Sequence, residues 1–223
     1  MIKNIIFDMG NVLLDYNPDA AMQMLRTAKE ARPVIKKELF GGNEWVQLDL
    51  GNISVDEVYE SIKQRISEDF HADLRKCIDG WDICMMPVEG AKEFCEYTKN
   101  NGYGVYVLSN AHKSFYRYFP RYFNLEFFDG VVVSADVHIV KPDVKIYEYL
   151  LQKYNLKAEE CLFIDDRADN VEGAIKAGMQ AIQFKNDFEE VKQVLQFKVP
   201  LPKGAVSHKT DGEIKLTEST IPN

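Results

Sequence analysis

Five short apolar runs recur along this chain, and three of them stop abruptly on polar residues. "NIIFD" ends at Asp8, "VYVLSN" at Ser109 and Asn110, and "LFIDD" at Asp165 and Asp166; "GVVVSAD" and "QAIQF" complete the set. Amphipathic stretches separate the later runs. In "PDVKIYEYLLQKYNL", for example, Ile146, Leu150 and Tyr154 share one helical face. Apolar runs of this length suit strands covered on both sides, and strands that alternate with helices return in the same direction. The pattern predicts an α/β fold: a Rossmann-like parallel sheet core with helices on both faces.

One long stretch breaks the alternation. Residues 18–86 carry helical signals and lack strand signals. Ser54 followed by Glu57 forms a capping box, with Val58, Ile62 and Ile66 continuing at helical spacing. The expected organisation is therefore a core of residues 1–17 and 87–196, an inserted helical domain of residues 18–86, and a polar C-terminal extension of residues 197–223. That extension contains Pro200, Pro202 and Pro222 and shows no clear period.

Composition narrows the partners. The formal net charge of −8 disfavours non-specific binding to nucleic acid or to an anionic membrane. No apolar stretch approaches the roughly 20 residues of a membrane helix, and Asp8 interrupts any signal-peptide core. The cysteines Cys77, Cys84, Cys95 and Cys161 lack close metal-type spacing. They read as buried free thiols in a cytoplasmic protein. The expected partner is a small molecule.

In an open parallel sheet, ligands bind beyond the carboxyl ends of the strands. The polar residues fall there: Asp8, Ser109, Asn110, Asp165 and Asp166, with Lys141 in the loop after the fourth-quoted run. Carboxylates crowded together repel unless a cation sits among them. Mg²⁺ suits an all-oxygen set and keeps room for substrate phosphate. The same groups suit phosphoryl transfer: an aspartate attacks phosphorus, a lysine balances charge, and a hydroxyl and amides hold phosphate oxygens.

These residues, taken in order, resemble the haloacid dehalogenase superfamily. Its first motif, hhhhDxDx(T/V), is similar to "NIIFDMGNV"; its second to "VYVLSN"; its third to "VKPDVKIY"; its fourth to "LFIDDRADN". The segment 18–86 occupies the place of the family's helical cap. The subgroup most resembled contains bacterial α-glucose-1-phosphate phosphatases. The resemblance implies a Mg²⁺-dependent phosphatase acting on small phosphate monoesters, sugar phosphates such as an anomeric hexose phosphate among them. Asp8 would be the nucleophile and Lys141 a catalytic charge. Asp8, the backbone carbonyl of Gly10 and Asp166 would hold the metal, with Asp165 and Asn170 in support. Ser109, Asn110 and Lys141 would hold phosphate. Asp166 is assigned to the metal because it stands twelve residues before Gly178 of "KAGM".

The family's second aspartate, the usual general acid and base, is replaced here by Gly10. Either the leaving oxygen departs with little protonation, as an anomeric oxygen can, or another residue supplies the proton. Asp15, His112 and His138 are the alternatives the sequence offers. A non-catalytic phosphate- or partner-binding protein of the same fold is the competing reading, and a 2-haloacid dehalogenase a further one. Trp45, Trp81 and Tyr16 are candidates for contact with substrate, against a plain role in the core.

Overall fold

The computed structural model describes residues 1–196 and the backbone of two later strands, Ala205–Thr210 and Glu213–Glu218. The core is one five-stranded, wholly parallel sheet: β1 (Asn4–Phe7), β2 (Gly104–Ser109), β3 (Gly130–Val133), β4 (Cys161–Asp165) and β5 (Gln180–Gln183), in the spatial order β3-β2-β1-β4-β5. The chain runs outward from β1 to β3 and then crosses back to β4, on the other side of β1. This reversal opens a crevice at the carboxyl end of β1, flanked by β2 and β4.

Alternation along the strands decides which helices cover which face. Ile5, Phe7, Val105, Val107, Leu162 and Ile164 point to one side, against Phe94 of helix Ala91–Asn100 and Val191 and Leu195 of helix Phe188–Gln196. Ile6, Tyr106, Leu108 and Phe163 point to the other, against Ile146 and Leu150 of helix Val144–Lys153 and Val171 and Ala174 of helix Ala168–Lys176. The expected α/β core with helices on both faces is what the chain forms.

Local signals differ from expectation in two places. The run "GVVVSAD" is strand only to Val133; Ser134–Val137 turns into a short helix. Ser134 leaves the ladder because its hydroxyl donates to the Asp49 carbonyl at 2.6 Å and accepts from the Ala111 N–H at 3.0 Å. In the C-terminal extension, where the sequence shows no period, Ala205–Thr210 pairs antiparallel with Glu213–Glu218. The rest of that extension lies outside the described residues.

Between β1 and β2 the chain is helical, with helices at Pro18–Met24, Arg32–Ile35, Asn43–Asp49, Val55–Lys63 and His71–Gly80. The Ser54–Glu57 capping box is formed in both directions, at 3.2 and 2.7 Å. The helices share their own apolar cluster, including Met22, Ile35, Leu39, Val58, Ile62 and Leu74.

The segment docks on the core along a defined seam. Ser134 holds the Asp49 carbonyl, His138 Nδ1 donates to the Leu50 carbonyl at 2.8 Å, and Asp82 pairs with Arg117 and Arg121 at 3.2 and 3.0 Å. Gly51 has φ of +68°, and a Cβ there would stand 2.5 Å from the Ala135 carbonyl oxygen, so the seam requires glycine. Among the described residues no helix is long and apolar enough to cross a membrane.

Candidate active site

Asp8 is the residue at which β1 stops. Its N–H still donates to the Ile164 carbonyl at 2.8 Å, so the backbone stays aligned while the side chain emerges into the crevice. Lys141 reaches across a sequence separation of 133 residues to place Nζ 2.5 Å from Asp8 Oδ1 and 2.7 Å from Asp165 Oδ2. All three side chains are buried.

Asn110 holds the loop that carries the lysine. Its Oδ1 accepts from the Lys141 N–H at 2.8 Å and its Nδ2 donates to the Lys141 carbonyl at 2.9 Å. Asp165 accepts from Asn170 Nδ2 at 3.0 Å and from the Arg167 N–H at 2.9 Å, in addition to Lys141. Asp166 accepts from Asn11 Nδ2 at 3.0 Å. Asn11 escaped the sequence reading. Its place after glycine was a usable signal, because asparagine tolerates the left-handed φ of +55° found there.

One ammonium faces three carboxylates. Oxygens of Asp8, Asp165 and Asp166 lie within 4.8 Å of one another. Burial pushes the Asp8 carboxyl up to about 7, against the pull of Lys141 and with a further push from Asp165. Burial also raises Asp166, opposed by its hydrogen bond from Asn11. Burial alone would lower Lys141, but Asp165 and Asp8 more than offset it and hold the ammonium above its ordinary value. Surplus negative charge on oxygen donors alone is a fit for a hard divalent cation such as Mg²⁺.

A cavity of about 420 Å³ lies over these groups, lined by Asp8, Gly10, Asn110, Lys141, Asp166 and Asn170 on its floor. Ser109 is fully buried and is not on the cavity wall; its hydroxyl finds no hydrogen-bond partner among the described residues. Gly10 lies on the wall with room beside it. A Cβ there would stand 3.9 Å from both Asp8 Oδ2 and Tyr16 Cβ, so packing does not demand glycine.

The upper wall is aromatic: Tyr16, Phe40, Trp45, Trp81 and Tyr118. Trp45 and Trp81 meet edge to face at 5.3 Å, and each contacts the His112 ring, at 5.9 and 5.6 Å. Of the three alternatives for the missing acid, only His112 lines the cavity. Burial lowers its pKa to about 4, so it stands neutral near pH 7 and holds no proton to donate as an imidazolium. His138 is spent on the Leu50 carbonyl.

Asp49, which sequence reasoning passed over, does line the cavity. Burial raises its carboxyl to about 7, against the nearby His112 N–H and Lys141. An acid in the last position of a helix, where the dipole disfavours it, was the one local anomaly that pointed to it.

A parallel sheet that gathers a strand-end aspartate, a buried lysine and an acid pair under one cavity defines a hydrolase with an aspartate at its centre. The chain belongs to the haloacid dehalogenase-like hydrolase family, whose model matches residues 2–178. It is 27% identical over 198 residues to the sesquiterpene phosphatase astK of Aspergillus oryzae, covering 87% of this chain and 95% of that protein. It is 23% identical to the D-ribitol-5-phosphate phosphatase of Bacteroides thetaiotaomicron, over 83% of this chain and 93% of that one. In fold it is similar to the wild-type HAD family enzyme bt-2542 of Bacteroides thetaiotaomicron, solved with magnesium and inorganic phosphate: TM-score 0.65, 20% identity, 86% of this chain and 99% of that chain. The expected family and the expected class, a phosphoric monoester hydrolase, agree with these relatives.

Proposed function

We propose that the chain is a Mg²⁺-dependent phosphatase that hydrolyses small phosphate monoesters through a phosphorylated Asp8. The observation that carries this reading is the convergence of Asp8, Lys141, Asp165 and Asp166 under one cavity. Asp8, the backbone carbonyl of Gly10 and Asp166 would hold the ion. Mg²⁺, when bound, supplies positive charge against the phosphate oxygens.

The chain's own groups divide the remaining work. A carboxylate oxygen of Asp8 attacks phosphorus and the bond to the organic oxygen breaks; water then hydrolyses the acyl phosphate and frees Asp8. Lys141 balances the phosphoryl charge. Asp165 is enclosed and holds Lys141 in place, and Asn170 holds Asp165. The buried Ser109 hydroxyl, without a partner among the described residues and next in the chain to Asn110 of the cavity wall, would be a donor to phosphate. Asn110, whose amide is spent on the Lys141 backbone, acts through that lysine.

Residues 18–86 act as a cap domain that covers the site and excludes water. Their separate apolar cluster and their aromatic contribution to the cavity wall support this. At about 420 Å³ the cavity lies within the range of small-molecule pockets, roughly 300–1,000 Å³. A sugar phosphate such as an anomeric hexose phosphate, in the cytoplasm, is the favoured substrate, its ring face stacking on Trp45 or Trp81. The aromatic cluster of Tyr16, Phe40, Trp45, Trp81 and Tyr118 on the wall favours a second reading, a phosphate ester of an apolar terpenoid chain.

The test is phosphate release with Mg²⁺ from p-nitrophenyl phosphate, α-glucose 1-phosphate, ribitol 5-phosphate and farnesyl phosphate. We expect turnover that chelator abolishes and that Asp8→Asn reduces to background, with no trapped phosphoenzyme. No release from any ester would favour the non-catalytic reading, and full activity in chelator would remove the metal.

A further inference from the structure

The chemistry at Asp8 leaves one proton unassigned. As the ester bond breaks, the organic oxygen must gain a proton, and the water that later attacks the acyl phosphate must lose one. Gly10 has no side chain to move either. We propose that Asp49, carried into the cavity by the helical insertion, is the catalytic acid and base for both transfers, a role that rests on the phosphatase reading of the site.

The geometry is that of a fixed group. Asp49 shares the cavity wall with Asp8, Gly10 and Lys141. Its own carbonyl is held by Ser134 at 2.6 Å, the next carbonyl by His138 at 2.8 Å, and Gly51 packs directly on the Ala135 backbone. The backbone that carries this carboxyl is thereby tied to the core although its helix belongs to the insertion.

Lys141 and the His112 backbone N–H act on the Asp49 carboxyl, Tyr16 and Tyr118 feel its charge, and Asp8 shares its cavity wall. Burial places the Asp49 carboxyl at about 7, where protonated and ionised forms coexist at neutral pH, the condition that suits a group acting in both directions. Asp8, also raised by burial to about 7, is committed to phosphorus as the nucleophile, and the remaining neighbours do not compete. His112 is neutral, and burial holds both phenols above their ordinary range.

Asp8 oxygen bonds to phosphorus, the ester P–O bond breaks, and the Asp49 proton goes to the departing oxygen, releasing alcohol. Asp49 carboxylate then takes a proton from water, whose oxygen bonds to phosphorus as the Asp8–phosphorus bond breaks. Inorganic phosphate leaves and Asp49 is again protonated.

The experiment compares wild type and Asp49→Asn on p-nitrophenyl phosphate and on a primary-alcohol phosphate, across pH with saturating Mg²⁺. Asparagine keeps an oxygen acceptor toward the His112 N–H, and a melting curve checks its fold. We expect a loss of about 10²–10⁴-fold on the primary-alcohol ester and under about tenfold for the cleavage step of the aryl ester, whose oxygen needs no proton. The wild-type rate on the poor leaving group should fall as pH rises through about 7, because an acid must be protonated to donate, and this limb should vanish in the variant. The aryl ester should give a burst equal to the enzyme concentration, as the acyl phosphate waits for a base. Equal losses in the cleavage step of both esters, or none, with the pH profile unchanged, overturn the assignment to Asp49 alone. Absence of wild-type turnover overturns it together with the phosphatase reading.

Discussion

Replacing Lys141 by methionine should show how strongly this site depends on its internal cation. The side chain keeps its length and its place near the Phe163 ring, which Nζ approaches at 5.2 Å. What is lost is the ammonium bridging Asp8 and Asp165 at 2.5 and 2.7 Å, in a setting where Asp166 adds a third carboxylate within 4.8 Å. Removing one partner of a buried ion pair typically costs about 3–5 kcal/mol. For a chain of 223 residues, at roughly 2–4 °C per kcal/mol, that is a melting decrease of roughly 6–20 °C in chelator. Saturating Mg²⁺ should stabilise the variant more than wild type, because its site holds more uncompensated negative charge. A cation at one hundred times its dissociation constant contributes about 2.7 kcal/mol. Asp8→Asn added to Lys141→Met should recover about 0.5–3 kcal/mol, the coupling expected of groups in contact. Thermal melts of the four proteins, with chelator and with Mg²⁺, provide the measurement. A Lys141→Met protein that melts with wild type in chelator, and gains nothing from the second substitution, would refute the reasoning.

Two further substitutions probe the wall and the seam. Gly10→Asp should fold normally, because its Cβ meets only ordinary contacts at 3.9 Å, and placed in the Asp49→Asn background it should restore part of the lost rate on primary-alcohol phosphates. Gly51→Ala should destabilise by at least about 1–2 kcal/mol in urea, from the left-handed backbone alone, with the contact to the Ala135 carbonyl adding to it. It should also lower the rate on poor leaving groups more than on aryl esters, since it moves the residue two positions from Asp49.

Much of this protein was readable in order along the chain. The apolar runs ending at Asp8, Ser109 and Asp165 are strands because only a sheet covered on both faces buries so many consecutive apolar residues, and the polar residue after each run marks its end at the crevice. Ser54 and Glu57 announced a helix start because a capping box is a contact between residues three apart. Local chemistry of that kind is present in any short window of sequence. The spatial order β3-β2-β1-β4-β5 is not, nor is the meeting of Lys141 with Asp8 or of Asn11 with Asp166. The role proposed for Asp49 lay furthest from view. By sequence it is one acid at the end of a short helix; only the docking of that helix on the Ser134 turn brings it to the cavity wall, and only burial raises its carboxyl to about 7. Position along a strand or helix follows from neighbours in the chain, whereas desolvation and long-range pairing exist only once distant segments have packed and expelled the water between them.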